Sequence, residues 1–351
     1  MNRGSEAVIV RMFACAALIA CATPAVAQKN PPPLETPAGK PFLHANSGIT
    51  LPAQLADLPR TGAREYEKPQ LDVLFTYKDK ADDEELSVYI YRVTTGAPAV
   101  WFEQAVRPIS ERPAFRRRTE MDLPVSFALP GQSVASGMRA AWTVSDSSIR
   151  STALAIVPVG DWLVKFRYSS VTREAASLVR RLDAMIAGIG WPAAIANAPA
   201  ATRVEDCATP LKLDGTSKPL PQEGASALGD ALMSSLTGKA DRKPVAWCRD
   251  RTVESPVPVY RPAGTNDSYL ATLSDSGRAV WVRPGASGLV ASDRKPSWAV
   301  SIVLAGETIN YGGRDRLPPP AQLSEILKGN ATSRVTTWGK SEIRIDPSQM
   351  K

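Results

Sequence analysis

The chain has 351 residues, 42 Lys and Arg against 35 Asp and Glu, a net charge of +7, four cysteines and one histidine. So small a basic excess over this length is no nucleic-acid footprint, though it keeps a chain soluble and weakly favours anionic surfaces. One histidine cannot furnish a normal histidine-bearing zinc set, and a Ser-His-Asp or Cys-His system would have to be built around His44 alone.

Arg3 and Arg11 precede an apolar run from Met12 to Cys21, and Ala25-Val26-Ala27 before Gln28 is a small-x-small cleavage site. This predicts an export signal over residues 1–27 and a periplasmic or secreted protein. A competing pattern overlaps it: Leu18-Ile19-Ala20-Cys21 resembles a bacterial lipoprotein box, which would leave the protein lipid-anchored through Cys21. The apolar run is too short to span a bilayer, and no later stretch is long and apolar enough, so no transmembrane segment is expected in the mature chain. Cys15 and Cys21 belong to the signal. Cys207 and Cys248 remain, and an even pair in an oxidising compartment predicts a disulfide, worth roughly 3–4 kcal/mol for the loop it closes.

Residues 28–48 are rich in proline (Pro31, Pro32, Pro33, Pro37) and read as a disordered leader containing His44. An α+β sandwich domain is expected over 49–192. Leu51, Leu55 and Leu58 suggest a short apolar face, and Thr61-Gly62 a turn. Alternation predicts strands over 71–77 and 86–92, joined by a solvated acidic hairpin end, Asp82 to Glu85, that lacks the spaced ligands of a calcium loop.

Pro98 opens a helix whose apolar face is Trp101, Phe102, Ala105, Val106 and Ile109, limited by Pro108. Arg107, Arg112, Arg116, Arg117 and Arg118 form the densest basic run, a candidate surface for an anionic ligand without the regular aromatic interleaving of a nucleic-acid groove. Strands follow near 138–144, 151–157 and 162–169. A helix carrying Leu178, Leu182, Met185, Ile186 and Ile189 comes next, with Gly190 at its C-terminal cap. The fold class is therefore α+β, an antiparallel sheet covered by two helices.

The order of elements over 71–190, and above all the helix Ala97 to Ile109, the strand Asp161 to Tyr168 and the helix Glu174 to Ile189, resembles the small α/β sandwich family that includes PsbP, Mog1 and DcrB. The likeness is topological and covers about a third of the chain. It implies binding, assembly or scaffolding, with no catalytic signature to carry over.

Residues 193–244 read as a linker with one half of the disulfide and a short helix over 225–236, whose apolar residues are Leu228, Ala231, Leu232 and Leu236. A smaller second domain, mixed α+β or mostly β, is expected over 245–351. Its strands fall near 257–261, 269–273, 279–283, 298–304 and 308–311, followed by a helix with Leu323, Ile326 and Leu327 and a last strand pair over 334–345.

No G-x-S-x-G elbow and no Walker loop occur in the sequence. No cofactor, no metal and no nucleic-acid partner are expected. The eight tryptophans suggest two cores, or else an aromatic groove for a sugar chain, peptide or lipid. The expectation is a non-catalytic exported envelope protein that binds an envelope partner or anionic ligand or serves a structural role. The alternative is a carboxylate-dependent hydrolase acting on envelope polymers, because paired carboxylates leave no spaced motif.

Overall fold

Alternation of apolar and polar residues builds most of the chain into antiparallel strands. The computed structural model describes residues 31–115, 117–120, 124–221, 224–235, 245–286 and 296–349. The expected signal over 1–27, with Cys21, and also Arg116 lie outside the described residues.

The first half contributes β1 (Phe42–His44), β2 (Ile49–Leu51), β3 (Gln54–Leu55), β4 (Leu58–Glu67), β5 (Asp72–Lys78), β6 (Glu84–Arg92), α1 (Pro98–Glu111), β7 (Arg117–Glu120), β8 (Val125–Phe127), β9 (Gly137–Ser145), β10 (Ser151–Val159), β11 (Trp162–Ser170) and α2 (Ala175–Ala187). The second contributes β12 (Glu205–Asp206), α3 (Gly224–Ser235), β13 (Trp247–Arg249), β14 (Val259–Pro262), β15 (Tyr269–Thr272), β16 (Ala279–Pro284), β17 (Trp298–Val303), β18 (Glu307–Arg314), α4 (Leu323–Leu327), β19 (Ala331–Thr336) and β20 (Ile343–Ile345).

The result is mixed α+β and mostly sheet. β1 and β2 form a ribbon. The first large sheet runs β3-β4-β5-β6-β11-β10-β9-β7, with β8 also paired to β9, and the second runs β12 to β20 in chain order. Every pairing in the large sheets is antiparallel except β12 with β13. Pro32–Lys351 form one compact unit.

Strand β10 is buried at every position, which places both of its faces under cover. One face carries Ala153, Ala155 and Val157 into a core with Val73, Phe75, Val88, Phe166 and the apolar stripe of α2. The other carries Leu154 and Ile156 into a core with Trp101 and Phe102 of α1 and with Tyr260, Leu270 and Ala279 of the second sheet. The two sheets thus share a core across α1.

Four expectations change. The leader is not disordered in its described part: Leu34 N donates to Ala63 O at 3.0 Å, and β1 pairs with β2. Arg60 holds this segment by donating to Pro37 O and Lys40 O, so main-chain bonds replace the missing apolar content. Thr61-Gly62 does not turn the chain but lies inside β4, at a register shift against β5. Gly190 is not the cap of α2, which ends at Ala187 and is capped by Gly188; Gly190 instead pairs with Thr50, where an added Cβ would meet the Thr50 Cβ at 2.9 Å. Pro108 sits inside the last turn of α1 instead of before its end.

Candidate functional site

A cleft of about 540 Å³ opens where α1 meets the β13–β14 end of the second sheet. From α1 come Phe102, Glu103, Val106 and Arg107, positions at helical spacing on one face. Glu120 of β7 and Pro124 form another wall, and the loop 250–258 the third. That loop is shaped by Asp250, whose Oδ1 accepts from the Thr252 amide at 2.9 Å and the Thr252 hydroxyl at 2.6 Å. Asp250 Oδ2 accepts from buried Arg261 at 2.9 Å.

The floor is apolar: Phe102, Val106, Val257, Pro258 and Val259. Glu103 stands over it and accepts from Arg249 Nη1 at 3.0 Å and the Tyr260 hydroxyl at 2.9 Å. Gln104 donates to the same hydroxyl at 2.7 Å. Burial pushes the Glu103 carboxyl above its ordinary range, with the Arg249 guanidinium and the Tyr260 hydroxyl pulling it back. Burial likewise pushes Glu120 up, opposed by Arg118. At the rim Arg249 and Arg251 share the Asp206 carboxylate.

The disulfide Cys207–Cys248 is formed, with Cα atoms 4.9 Å apart. It lies beside this rim: Glu205 and Asp206 register with Cys248 and Arg249. The bridge therefore fixes β12 against β13 and places Asp206 on the arginines.

Of the described members of the arginine run, Arg107 alone lines the cleft. It pairs with Glu111 one helical turn on. Arg112 caps α1 and is exposed. Arg117 pairs with Asp146, while Arg118, its neighbour on β7, donates to Phe115 O at 3.2 Å and to Ser110 Oγ at 2.7 Å. Successive strand residues point to opposite faces, so this pair is split by geometry. β7 is an edge strand, where charged side chains discourage pairing with foreign strands.

Other expectations also move. Glu84 is not solvated: it is buried, accepts from the Tyr168 hydroxyl, and pairs with Arg173 and Arg181. His44 is buried, its Nδ1 bonded to Ser47 Oγ at 2.7 Å and its Nε2 to Gln70 O at 2.9 Å, with its ring edge-on to Trp162. Of the tryptophans, Trp101, Trp142 and Trp162 are buried, the other five are half-buried, and none lines the cleft. Sequence reasoning did not single out Glu103, Arg249, Arg251 or the 250–258 loop. The local signal is Pro256 and Pro258 on either side of Val257, which marks a loop after the largely polar run Arg249 to Ser255.

No protein-family model matches the chain, and no curated protein matches it. Among solved structures, the solution structure of cyanobacterial PsbP (CyanoP) from Synechocystis sp. PCC 6803 overlaps 45% of this chain and 99% of its own, at 14% identity and a TM-score of 0.32. A crystal structure from Bacteroides thetaiotaomicron VPI-5482 overlaps 59% of this chain and 63% of its own, at 11% identity and a TM-score of 0.19. Both are weak resemblances.

Proposed function

We propose that this is a non-catalytic exported envelope protein that binds a partner or ligand through the cleft between α1 and the β13–β14 end of the second sheet. The observation that carries the reading is the cleft itself: an apolar floor with Arg107 and Arg251 at its border. Such a surface suits a ligand with an apolar body and a charged end. Export is supported by the sequence pattern over 1–27 and by the Cys207–Cys248 bridge. Among the described residues no helix is long and apolar enough to cross a membrane. The mature chain begins at Gln28, or at a lipidated Cys21 if the lipoprotein box is used; mass spectrometry of envelope-extracted protein distinguishes the two, and an intact Met1 overturns both.

Binding is tested by a crosslinking pull-down from intact envelopes. Wild type is compared with Arg107→Ser plus Arg251→Ser in the cleft, and with Arg117→Ser on β7, whose side chain pairs with Asp146. The cleft variant loses the partner and the edge variant keeps it. A partner set lost only with the edge variant, or unchanged in both, overturns the reading.

A second reading, a carboxylate-dependent hydrolase acting on envelope polymers, draws on the fact that Glu103 and Glu120 line the same cleft and that burial raises both carboxyls. It requires Glu103→Gln and Glu120→Gln each to abolish hydrolysis of isolated envelope polymer by the purified protein; polymer left intact by wild type removes it.

A further inference from the structure

The turn joining β15 to β16 leaves the second sheet and seats on the first. Asp275 Oδ2 accepts from Lys165 Nζ at 2.9 Å and from Arg167 at 2.6 Å. Arg278 donates to Glu67 Oε2 at 2.8 Å and stands 3.5 Å from Asp72 Oδ2. Gly277 permits the approach, with φ at +82° and a position where a Cβ would meet Val93 Cγ2 at 2.8 Å. Lys165 is buried, its ammonium 4.3 Å from the ring centre of Tyr89. Charges from both sheets are thus enclosed in one seam, with Asp72 itself buried.

We propose that the β15–β16 turn is a proton-sensitive latch between the two sheets: seating it encloses the Asp72 carboxyl, and acidification from neutral pH holds it more firmly. Asp72 is faced by Arg278 and Asp275 of the turn, by Lys165 of β11, by Tyr66 and Glu67 of β4, and by Tyr91, its register partner on β6, while Arg167 of β11 pairs with Asp275. Burial is the largest influence and raises this carboxyl to about 6 from 3.8; Arg278 and Lys165 pull it down, while Glu67 and Asp275 push it up. Lifting the turn removes Arg278 and Asp275 but admits water, and the carboxyl returns toward its ordinary value.

The seated state therefore binds the proton more tightly than the lifted one, and acid favours seating. The gain accrues as pH falls through about 6, levels off near 3.8 and is absent well above 6. Between pH 7.5 and pH 5 the seating equilibrium should strengthen by roughly tenfold. His44, bonded to Gln70 O nearby, works in the opposite sense, because burial lowers its pKa and its protonation opposes the fold.

Hydrogen–deuterium exchange of the full chain tests this. The readout is the Leu273 amide, which donates to Arg278 O across the turn, corrected for intrinsic exchange and compared with the β10–β11 amides. In wild type its protection rises about tenfold from pH 7.5 to pH 5 relative to those strands. In Asp72→Asn it is high at both pH values. A carboxyl-carbon titration of wild type should place Asp72 near 6. Wild-type protection that is flat or falls with acid, a full pH response retained in Asp72→Asn, or an Asp72 titration in the ordinary range would each overturn the latch.

Discussion

One face of the second sheet meets two different neighbours, and its two ends are made of opposite materials. Residues in direct register share a face, and one such row runs Tyr260, Leu270, Trp281, Ser301, Asn310, Ser333. At the Tyr260 and Leu270 end the row packs against α1 and the first sheet in an apolar core. At the Asn310 end it is polar: Asn310 Oδ1 accepts from Ser234 at 2.8 Å and Ser301 at 2.7 Å, and its amide donates to Ser333 at 3.0 Å.

The helix covering each end follows suit. α1 buries Trp101 and Phe102; α3 buries Ala227, Asp230, Ala231 and Ser234, and leaves Leu228, Leu232 and Met233 exposed. Asp230 accepts from the Ala286 amide at 2.8 Å, and Gly229 lies where a Cβ would meet Ala286 Cβ at 2.6 Å. α3 is held by hydrogen bonds and close approach, α1 by buried area. Apolar spacing alone therefore does not say which way a helix faces.

Four variants sharpen that contrast. The largest effect is expected at the apolar end: Trp101→Ala should cost about 3–5 kcal/mol, through lost burial and the cavity left behind, read as a shifted urea midpoint at unchanged slope. Next, Cys207→Ser with Cys248→Ser should cost roughly 3–4 kcal/mol, because the bridge spans 41 residues of sequence; reducing agent should shift wild-type melting and leave the variant unmoved.

At the polar end, Asn310→Ala should cost about 1–3 kcal/mol, since it takes their Asn310 partner from the buried hydroxyls of Ser301 and Ser333. A neutral result would show that the apolar end alone sets stability. The smallest effect is expected at Leu232→Ser, within about 0.5 kcal/mol despite the loss of a leucine. Destabilisation comparable to Trp101→Ala would mean that α3 packs through its leucines and that the contrast is false.

Most central strands were legible as sequence: β5, β6, β11 and β17 by their alternation, and β10 as an unbroken, largely apolar run, all falling where the pattern puts them, as do α1 and α2. The disulfide was legible by counting. Long β4 was not, because its burial pattern alternates poorly and it reads as loop around Gly62. β7 was hidden inside the arginine run, where edge-strand charges mimic a ligand patch. α3 was legible as a helix but its buried face was not, because its inward partners, Asn310 and Arg283, sit more than 40 residues away in sequence. The cleft was visible through Arg107 alone; its other walls are brought together by the packing of two sheets, which no local spacing encodes.

The central claim, that binding occurs in the α1 to β13–β14 cleft, is tested most directly by a photoreactive side chain placed in turn at Pro256, an exposed cleft position, and at Leu232, exposed on α3. Both proteins are irradiated in intact envelopes and their adducts compared by mass. The account predicts a discrete adduct from Pro256 that disappears when Arg107→Ser and Arg251→Ser are added, and none from Leu232. A discrete adduct from Leu232 with none from Pro256 would contradict it, and would move the binding surface from the cleft to the outward leucines of α3.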